Sequence, residues 1–520
     1  MQATVLTFSL LGLDPQPVQV EVDSSRGISQ FHLVGLPEAS VRESRVRVRA
    51  ALLSVGVELD EQVITVNLAP ADMKKSGGGF DLAIALGILA AIGRVPAGAL
   101  EGTAVLGELS LSGAIQRVRG VLPVLRDAQR HGARRAIVPL ANAAEAAHVA
   151  GIEVRAGEHL AAVVASLSGE RELPAVDAPA VDLARFRADV DLADLRGQHA
   201  ARRALEIAAA GAHNLLFIGP PGCGKTMAAR RLPTILPPLS PEEALEVTAI
   251  HSVAGLVPGS GLVVDRPFRA PHHTVSAVGL VGGGDPVRPG EVSLAHRGCL
   301  FLDEVAEFRR GALEALRQPL EDGAVTVCRA RGRATFPAKP LFIAAANPCP
   351  CGFHGDPSRR CACPEDRIRA YRARLSGPLL DRLDLQIALR QVTIADLTSN
   401  VPGEPSGAVR ERVLAARAAQ EERARRGEVD AELNAVLTPR ELSEVAALDA
   451  AARDLIERAV ETLGLSARAY DKVRRVARTI ADLDGSTAVK SAHVAEAIHL
   501  RLLDRQREPE RRGARARAAA

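Results

Sequence analysis

The sequence predicts an α/β protein in which a parallel sheet carries a phosphate-binding loop (P-loop) and a helical lid, and a smaller α+β domain precedes it. Three observations predict this fold class. Short apolar runs alternate with segments of helical periodicity over roughly the first 390 residues. A glycine-rich motif, GPPGCGKT, lies between such a run and a helical segment. After residues 401–407 the composition changes to Ala, Arg, Glu and Leu at helical spacing, which indicates a helical bundle.

Composition limits the class of protein before any motif is considered. The chain has 520 residues, of which 47% are hydrophobic and 24% charged, which fits several folded domains and excludes wholesale disorder. Aromatic residues make up only 2%, so we do not expect many bases to stack on aromatic side chains. Lys and Arg number 65 against 62 Asp and Glu, and the resulting net charge of +3 indicates no particular partner.

The N-terminal segment bears on the location of the protein. It reads MQATVLTFSLLGLDPQP, lacks a basic region, and has its apolar run interrupted at Asp14 and Pro15, so we do not expect a signal peptide. No run reaches the roughly 18 apolar residues that a membrane span requires. We therefore expect a cytoplasmic protein with no membrane partner, in which the seven cysteines are reduced.

Changes of composition predict five segments. Residues 1–168 mix strand-like runs with helical segments, and residues 169–189 form a linker rich in Pro, Asp and Ala. A sheet domain with the P-loop and a group of four cysteines follows over 190–395, and a C-terminal helical lid over 396–504. Residues 505–520 form a basic tail, for which solvated disorder and nonspecific nucleic-acid binding are both open.

The glycine-rich motif fits the pattern G-x-x-x-x-G-K-[ST] without a mismatch. Its glycines let backbone amides turn inward around phosphates, Lys225 reaches the β and γ phosphates, and the Thr226 hydroxyl binds Mg²⁺. A predicted strand over 215–218 precedes it and a predicted helix over 227–232 follows, which is the context that the motif requires. The predicted nucleotide-binding residues are Gly219, Pro220, Pro221, Gly222, Cys223, Gly224, Lys225 and Thr226.

Two further apolar runs end in polar residues that suit nucleotide hydrolysis. The run CLFLDE ends in Asp303, which would hold Mg²⁺, and Glu304, which would orient and deprotonate the attacking water. The run LFIAAAN ends at Asn347, whose side chain could hold that water near the γ-phosphate. A solvated strand end and a turn-forming Asn are the structural alternatives. Because the P-loop motif is complete, we predict catalytic roles for Glu304 and Asn347.

Four cysteines lie within fifteen positions in the pattern C-x-C, nine residues, C-x-C; they are Cys349, Cys351, Cys361 and Cys363. Four thiolates could surround one Zn²⁺ tetrahedrally in a closed, structural site. The spacing departs from the commoner C-x-x-C, so reduced free thiols are an alternative, and His354 could substitute as a ligand. Because the loop that carries these cysteines begins directly after Asn347, bound zinc could fix that side chain.

Most of residues 190–500 resembles the AAA+ ATPases, and more narrowly the magnesium-chelatase-like branch that includes the YifB/ComM proteins. The resemblance is carried by RGQHAARRALEIAAAGAHNLLFIGPPGCGKT, DRPFRAPHHTVSAVGLVGGG, PGEVSLAHRGCLFLDE, AAANPCPCG, SGPLLDRLD and SARAYDKVRRVARTIADL. It implies ATP and Mg²⁺ as cofactors and a homohexameric ring with ATP between neighbouring subunits.

Two arginines receive roles from this resemblance. Arg382, in SGPLLDRLD, matches an arginine finger that stabilises charge on the neighbouring subunit's ATP, with a salt bridge to Asp381 or Asp384 as the alternative. Arg468, in LSAR, matches the sensor-2 position, which contacts the γ-phosphate, with a solvated helix arginine as the alternative.

Residues 268–284 form a long, Gly-rich connection between the two nucleotide motifs. In this branch the stretch resembles the helix-2 insert that faces the pore of the ring. Arg269, His272 and His273 could there contact a polymer that passes through the pore, although adjacent histidines are a weak signal.

The N-terminal segment resembles the proteolytic domain of Lon-type proteases, most closely over residues 106–146. Such a protease needs a Ser nucleophile activated by a Lys. The alignment places Gly79 at the Ser position and Leu122 at the Lys position, while Ser76, Lys74 and Lys75 leave a shifted dyad open. We therefore predict a proteolytically inactive domain that serves assembly or substrate binding.

The resemblance implies an ATP-hydrolysing hexameric motor on single-stranded and branched DNA, a helicase that promotes branch migration in homologous recombination during natural transformation. No residue indicates DNA binding by itself. Two alternatives stay open: a magnesium-chelatase-type motor subunit, and a protein-remodelling or proteolytic AAA+ ATPase. The Lon-like segment and the four cysteines disfavour the chelatase, and the residues found at 79 and 122 disfavour the protease.

Overall fold

The computed structural model describes residues 2–75, 77, 79–178, 182–183, 189–329, 332–357, 359–398, 403–463 and 465–501. The predicted basic tail over 505–520 and parts of the predicted linker over 169–189 lie outside the described residues. The described chain forms an N-terminal α+β unit, an α/β unit with the P-loop, and a helical unit that packs on it. Within these residues, none of the helices has the length and apolar character that crossing a membrane requires.

The N-terminal unit is built on a mixed sheet. Its strands are β1 (Gln2–Leu11), β2 (Asp14–Arg26), β3 (Gln30–Val34), β4 (Gln62–Ala69), β5 (Thr103–Val105), β6 (Glu108–Leu109), β7 (Ile115–Gln116), β8 (Arg135–Pro139) and β9 (Glu153–Gly157). The sheet order is β3-β4-β2-β1-β5-β8-β9, and β6 pairs with β7. In β2 the buried Val18, Val20 and Val22 alternate with polar residues, so one face of the sheet packs inward.

Helices cover both faces of this sheet. They are α1 (Ala39–Arg42), α2 (Ser44–Ser54), α3 (Asp81–Ala91), α4 (Val121–Ala128), α5 (Ala143–Ala146) and α6 (Leu160–Leu167). Ile137 of β8 shares an apolar cluster with α2, α3 and α6, and its neighbours Ala136 and Val138 share another with α4 and α5. Every residue of α3 is buried, which agrees with its nearly uninterrupted apolar sequence. Helices α1 and α2 are consecutive in the chain and meet at Glu43.

The second unit is built on a parallel sheet with short hairpins beside it. Its strands are β10 (Leu215–Ile218), β11 (Phe268–Arg269), β12 (Gly282–Gly283), β13 (Arg288–Pro289), β14 (Cys299–Leu302), β15 (Ala324–Arg329), β16 (Gly332–Pro337), β17 (Leu341–Ala346) and β18 (Leu385–Ala388). The parallel sheet has the order β11-β14-β17-β10-β18. The carboxyl ends of β10, β14 and β17 therefore meet at one edge, where parallel sheets bind ligands.

Both faces of the parallel sheet are covered. Leu215 and Phe217 of β10 face one apolar cluster, and Leu216 between them faces another. The helices of this unit are α7 (His199–Gly211), α8 (Lys225–Arg231), α9 (Pro241–Ala254), α10 (Ala277–Val281), α11 (Glu291–Leu294), α12 (Arg310–Ala315), α13 (Arg317–Asp322), α14 (Glu365–Arg372), α15 (Gly377–Leu380) and α16 (Ile394–Thr398). This arrangement confirms the predicted α/β class.

The C-terminal unit is entirely helical in the described residues, as the sequence predicts. Its helices are α17 (Ser406–Arg425), α18 (Pro439–Val445), α19 (Ala450–Leu463), α20 (Ala467–Leu483) and α21 (Ser491–His499). Val413 of α17 and Val473 of α20 belong to the same apolar cluster as Leu205 of α7 and Phe217 of β10. The helical unit and one face of the sheet therefore share a continuous core.

A buried ion pair joins the helical unit to the sheet. Nζ of Lys472, on α20, lies 3.0 Å from Oδ1 of Asp384, and the backbone N–H of Asn214 donates to Oδ2 of Asp384 at 3.1 Å. Burial acts to raise the pKa of Asp384, but Lys472 and His213 outweigh it and hold that pKa well below its usual range. The Asp384 carboxylate is therefore ionised, and the positive charge of Lys472 compensates its buried negative charge.

We expect Lys472→Met to lower the free energy of unfolding by about 3–5 kcal/mol, because it removes the lysine that pairs with the buried Asp384 carboxylate. Urea unfolding followed by circular dichroism measures this change. The double variant Lys472→Met/Asp384→Asn should recover most of the loss, since no buried charge is left. A loss of less than about 1 kcal/mol in the single variant, as for an exposed pair, would contradict the account.

The N-terminal unit docks on α9 through a buried carboxylate. Oε2 of Glu145 accepts from the Ser252 hydroxyl at 2.7 Å, and its Oε1 accepts from the Asn142 amide at 2.5 Å. The backbone N–H of Gly120 donates to the Ser252 carbonyl at 3.2 Å beside them. Burial raises the pKa of Glu145 above its ordinary value of 4.5, and these hydrogen bonds only partly oppose it.

This raised pKa makes the stability of the folded chain depend on pH. The protonated form is favoured in the folded state, so the contribution of Glu145 is fully present below pH 4.5 and is lost as the pH rises through the folded-state pKa. We expect Glu145→Gln, which cannot ionise, to melt about a few degrees higher than the unaltered chain at pH 7.5 and to lose this advantage near pH 4. Melting temperatures across that range measure the effect; a difference that does not vary with pH would contradict it.

Candidate nucleotide-binding site

The P-loop connects β10 to α8, and its backbone conformation requires glycine. Gly222 and Gly224 have φ angles of 78° and 94°, in the left-handed region. A β-carbon at Gly219 would lie 2.7 Å from the Leu389 carbonyl oxygen, so this position needs glycine for space. Helix α8 begins at Lys225, two residues before the start of the helix predicted over 227–232. The loop can thus turn its backbone amides toward a phosphate.

Lys225 is buried at the centre of the site. Its Nζ donates to the carbonyls of Gly219 at 2.7 Å and Pro220 at 3.0 Å, and to Oδ1 of Asn347 at 3.0 Å. Burial lowers the pKa of Lys225, and the carboxylates of Asp303 and Glu304 are among the groups that oppose that shift. The lysine thus joins the P-loop to the end of β17.

Thr226 and Asp303 lie side by side. The Thr226 hydroxyl donates to Oδ2 of Asp303 at 2.5 Å, and Oδ1 of Asp303 accepts from the backbone N–H of Glu304 at 2.9 Å. A hydroxyl and a carboxylate are oxygen ligands of the kind that proteins supply to Mg²⁺. These residues therefore fit a magnesium ion beside the P-loop.

Glu304 follows β14 in a conformation that is rare for its type. Its φ of 49° lies in the left-handed region, which costs a non-glycine residue about 1 kcal/mol or more. The residue is exposed, and the described part of the chain supplies no hydrogen-bond partner for its carboxylate. The carboxylate is therefore available to a water molecule.

Tyr371, on α14, lies beside the backbone of Asn347. Burial, followed by the charges of Glu307 and Glu304, raises the pKa of Tyr371 to about 12. Tyr371 is thus neutral at physiological pH. The sequence did not predict a role for Tyr371, because the loop that carries the cysteines separates it from Asn347 along the chain.

Gln198 is another residue that sequence reasoning missed. It is buried at the N-terminus of α7, and its Nε2 donates to the carbonyls of Cys223 at 3.0 Å and Arg390 at 2.7 Å. The side chain therefore fastens the P-loop to the segment after β18. Gln198 lies within one of the stretches that resemble AAA+ ATPases, and a polar residue directly before an apolar helix was the available signal.

The two predicted arginines lie outside the hydrogen-bonded group around Lys225. Arg382 forms an ion pair through Nη2 with Glu321 of α13, and its buried Nε has no partner in the described residues. From the sequence, a salt bridge of Arg382 with Asp381 or Asp384 was the alternative to a finger. In the structure the salt-bridge partner is Glu321. Arg468 is exposed in the first turn of α20, and no hydrogen bond or ion pair to it occurs in the described chain.

The four cysteines converge on one point. Their Sγ atoms all lie within 4.8 Å of one another, and Cys349 to Cys351, Cys349 to Cys361 and Cys351 to Cys361 measure 3.3, 3.7 and 3.6 Å. Tetrahedral zinc with bonds of about 2.3 Å separates its sulfurs by about 3.8 Å. Backbone N–H groups, first that of Phe353, lower the pKa of Cys351 to about 6. The backbone N–H of His354, rather than its ring, contacts Cys349 Sγ at 3.3 Å. This thiol set fits zinc.

The residues of the Gly-rich insert contact one another and the nearby helices. Arg269 forms an ion pair with Glu291, with Nε and Oε2 separated by 2.6 Å. The His272 ring hydrogen-bonds to the Thr274 hydroxyl at 2.9 Å, and the rings of His272 and His273 lie 4.0 Å apart.

In the N-terminal unit, the two positions aligned with a protease dyad hold unreactive residues. Gly79 lies in the turn before α3, and Leu122 is fully buried on α4 in an apolar cluster. Lys75 is buried and donates to the Pro70 carbonyl. Ser76, the other member of a shifted dyad, lies outside the described residues.

Comparison with known proteins gives matches over nearly the whole chain. Three family models match: magnesium chelatase, subunit ChlI, over residues 191–397; subunit ChlI of Mg-chelatase over 20–142; and the ChlI C-terminal family over 403–501. YifB of Salmonella typhimurium is 43% identical over 505 residues, which cover 97% of each chain. Competence protein ComM of Haemophilus influenzae is 42% identical over 508 residues, covering 97% of this chain and 98% of its own.

A shorter match concerns part of the chain. Lon protease 2 of Bacillus subtilis is 29% identical over 123 residues, which cover 22% of each chain. This similarity supports the predicted Lon-like character of the N-terminal unit and says nothing of proteolysis here.

Proposed function

The chain belongs to the magnesium-chelatase-like family of YifB and ComM proteins, and we propose that it is an ATP-hydrolysing ring motor that acts on DNA. In finer terms, we propose a hexameric helicase that promotes branch migration in homologous recombination during natural transformation. The observation that carries the hydrolysis proposal is the group formed by Lys225, Thr226, Asp303 and Asn347 at one edge of the sheet. An AAA+ motor at the family level follows from the family itself.

Each member of this group has a role in the proposed reaction. Lys225 would exchange its carbonyl partners for β- and γ-phosphate oxygens and neutralise their charge. Glu304, whose carboxylate has no partner in the described residues, would orient the attacking water and accept its proton. Asn347, held by its hydrogen bond with Lys225, would position that water.

Two metal ions belong to this proposal. Mg²⁺, when bound, neutralises phosphate charge, and Thr226 and Asp303 would hold it. Zn²⁺ would occupy the four-cysteine group as a structural ion, because four closed sulfur ligands leave no position for a substrate.

The proposed site is completed by a neighbouring subunit. Arg382 would leave Glu321 and act as the finger toward the neighbour's ATP, and Arg468 would contact the γ-phosphate in its own chain. Neither side chain contacts the group around Lys225 in the described chain. In the proposal, Arg468 makes its contact only when nucleotide is bound, and Arg382 only when a second subunit is present.

DNA as the substrate rests on the relatives. The 42% identity to a protein named competence protein ComM, over 97% of this chain, supports DNA uptake or recombination as the process. The N-terminal unit would serve assembly or substrate binding rather than proteolysis, since Gly79 and Leu122 offer no nucleophile or base. The protein would act in the cytoplasm.

A second candidate is a magnesium-chelatase motor subunit, because all three matching family models carry that name. A protein-remodelling ATPase is the third, because AAA+ cores couple hydrolysis to many substrates. Both differ from the proposal in the molecule that stimulates ATP hydrolysis.

The ATPase rate in the presence of single-stranded, duplex and four-way-junction DNA, over a series of salt concentrations, tests the proposal. Parallel reactions contain casein or protoporphyrin. We expect stimulation that is greatest with the junction and falls steeply with salt, because phosphate contacts release counterions. No response to any DNA, together with stimulation by casein or protoporphyrin, would contradict the proposal and favour one of its rivals.

A further inference from the structure

The turn that bears the first two cysteines packs on the P-loop. Gly352 closes this turn, because its N–H donates to the Cys349 carbonyl at 2.9 Å. Its φ is +86°, and a β-carbon there would lie 2.5 Å from Cδ and 2.7 Å from Cγ of Pro221. A methyl group does not fit between the two residues. The backbone of the cysteine loop therefore lies directly against a P-loop side chain.

The two ends of the same loop meet at Asn347 and Pro348. The loop leaves β17 at Asn347, whose Oδ1 accepts from Lys225 Nζ at 3.0 Å. It returns in α14, where Nε of Arg372 donates to the Pro348 carbonyl at 3.3 Å and Tyr371 lies beside the Asn347 backbone. The loop thus contacts the nucleotide site at its two ends and, through Gly352, at its first turn.

The four cysteine sulfurs bring the two halves of this loop together, since their Sγ atoms all lie within 4.8 Å of one another. The loop has no helix or strand between β17 and α14 in its described residues, and Cys349 is buried. A metal bound by all four sulfurs would join the turn at Gly352 to the distant Cys361 and Cys363.

We propose that the four-cysteine loop is a zinc-dependent clamp on the P-loop, in which Gly352 is a positioning residue and loss of zinc weakens nucleotide binding. This inference rests on the proposed binding of ATP at the P-loop and of zinc by the cysteines. The metal acts on the site through the backbone contact with Pro221, not by touching the nucleotide.

The chain offers a matched control for the contact. Gly355, in the same loop, has a φ of +79°, close to that of Gly352, yet a β-carbon there would have no atom within 4 Å. Alanine at either position imposes similar left-handed strain, and only alanine at 352 displaces Pro221. Cys328, exposed on β15 and outside the sulfur group, is the corresponding control for cysteine loss.

The experiment measures two quantities on the full chain: zinc per chain by metal analysis, and the dissociation constant of a fluorescent ATP analogue. The variants are Cys361→Ser/Cys363→Ser, Gly352→Ala, Gly355→Ala and Cys328→Ser. We expect the double cysteine variant to lose zinc and to bind nucleotide about tenfold more weakly. Gly352→Ala should keep its zinc and still bind about tenfold more weakly. The two control variants should match the unaltered chain in both quantities.

A chelator provides a test that needs no substitution. Removing zinc from the unaltered chain should weaken nucleotide binding by the same factor, and added zinc should restore it. Tight binding by zinc-free protein and by Gly352→Ala would overturn the clamp, and so would an unaltered chain that contains no zinc. Failure of the unaltered, zinc-loaded chain to bind nucleotide would overturn the proposed function instead, so the two failures are distinguishable.

Discussion

Replacing Glu304 by Gln should reduce the steady-state ATPase rate by about 10³-fold and leave nucleotide affinity within a factor of about two, because the amide cannot accept the proton of the attacking water. The substitution preserves size and the left-handed backbone at this residue. Lys225, Thr226 and Asp303, which form the proposed phosphate and magnesium contacts, are unchanged. Single-turnover hydrolysis and binding of a fluorescent ATP analogue separate the two effects.

The matched control is Glu307→Gln. Glu307 lies three residues further along, where its carboxylate accepts from Nη1 of Arg374 at 3.0 Å. Glu307→Gln removes the same charge near the site but changes no residue that is proposed to bind phosphate or magnesium or to activate water. The ATPase rate should therefore stay within about twofold of the unaltered rate. A Glu304→Gln enzyme that turns over at the unaltered rate would remove Glu304 from its proposed role.

The second large effect concerns Arg382. We expect Arg382→Ala to lower the ATPase rate by about 10³-fold, the contribution typical of an arginine finger, while each chain still binds nucleotide. The structure pairs this arginine with Glu321, which allows a purely structural role as the competing explanation.

Glu321→Ala separates these explanations. If the ion pair were only structural, breaking it from either side would have the same consequence. The finger proposal predicts that Glu321→Ala keeps ATPase activity within a few-fold of the unaltered chain, because Arg382 is still present and is no longer held within its own subunit. Equal losses in the two variants would favour the structural role.

The elements that position the site could be predicted from the sequence, because their signals are local. The strand predicted over 215–218 corresponds to β10, and the apolar runs CLFLDE and LFIAAAN contain β14 and β17. Polar residues that follow parallel strands must meet at the carboxyl edge, so the proximity of Asp303 and Asn347 to the P-loop followed from topology.

Contacts between segments far apart in the chain could not be predicted. The pairing of Arg382 with Glu321 depends on how α13 packs, and the sequence suggested nearer aspartates instead. Gln198 lies in a stretch that resembles AAA+ ATPases, but its bond to the Cys223 carbonyl depends on how the chain folds, and Tyr371 reaches the site from a helix outside the stretches that carry the resemblance. The contact of Gly352 with Pro221 is likewise tertiary, although the proximity of the cysteines to Asn347 gave a partial signal.

The central claim is that each ATP site is built from two subunits, and a complementation experiment tests it most directly. Lys225→Ala removes the phosphate contact but keeps Arg382, whereas Arg382→Ala keeps its own P-loop but offers its neighbour no finger. Each variant alone should be nearly inactive. When both are co-expressed and purified together, some interfaces combine an intact P-loop with an intact finger, so the account predicts a clear recovery of ATPase activity. A mixed assembly no more active than either variant alone would contradict it.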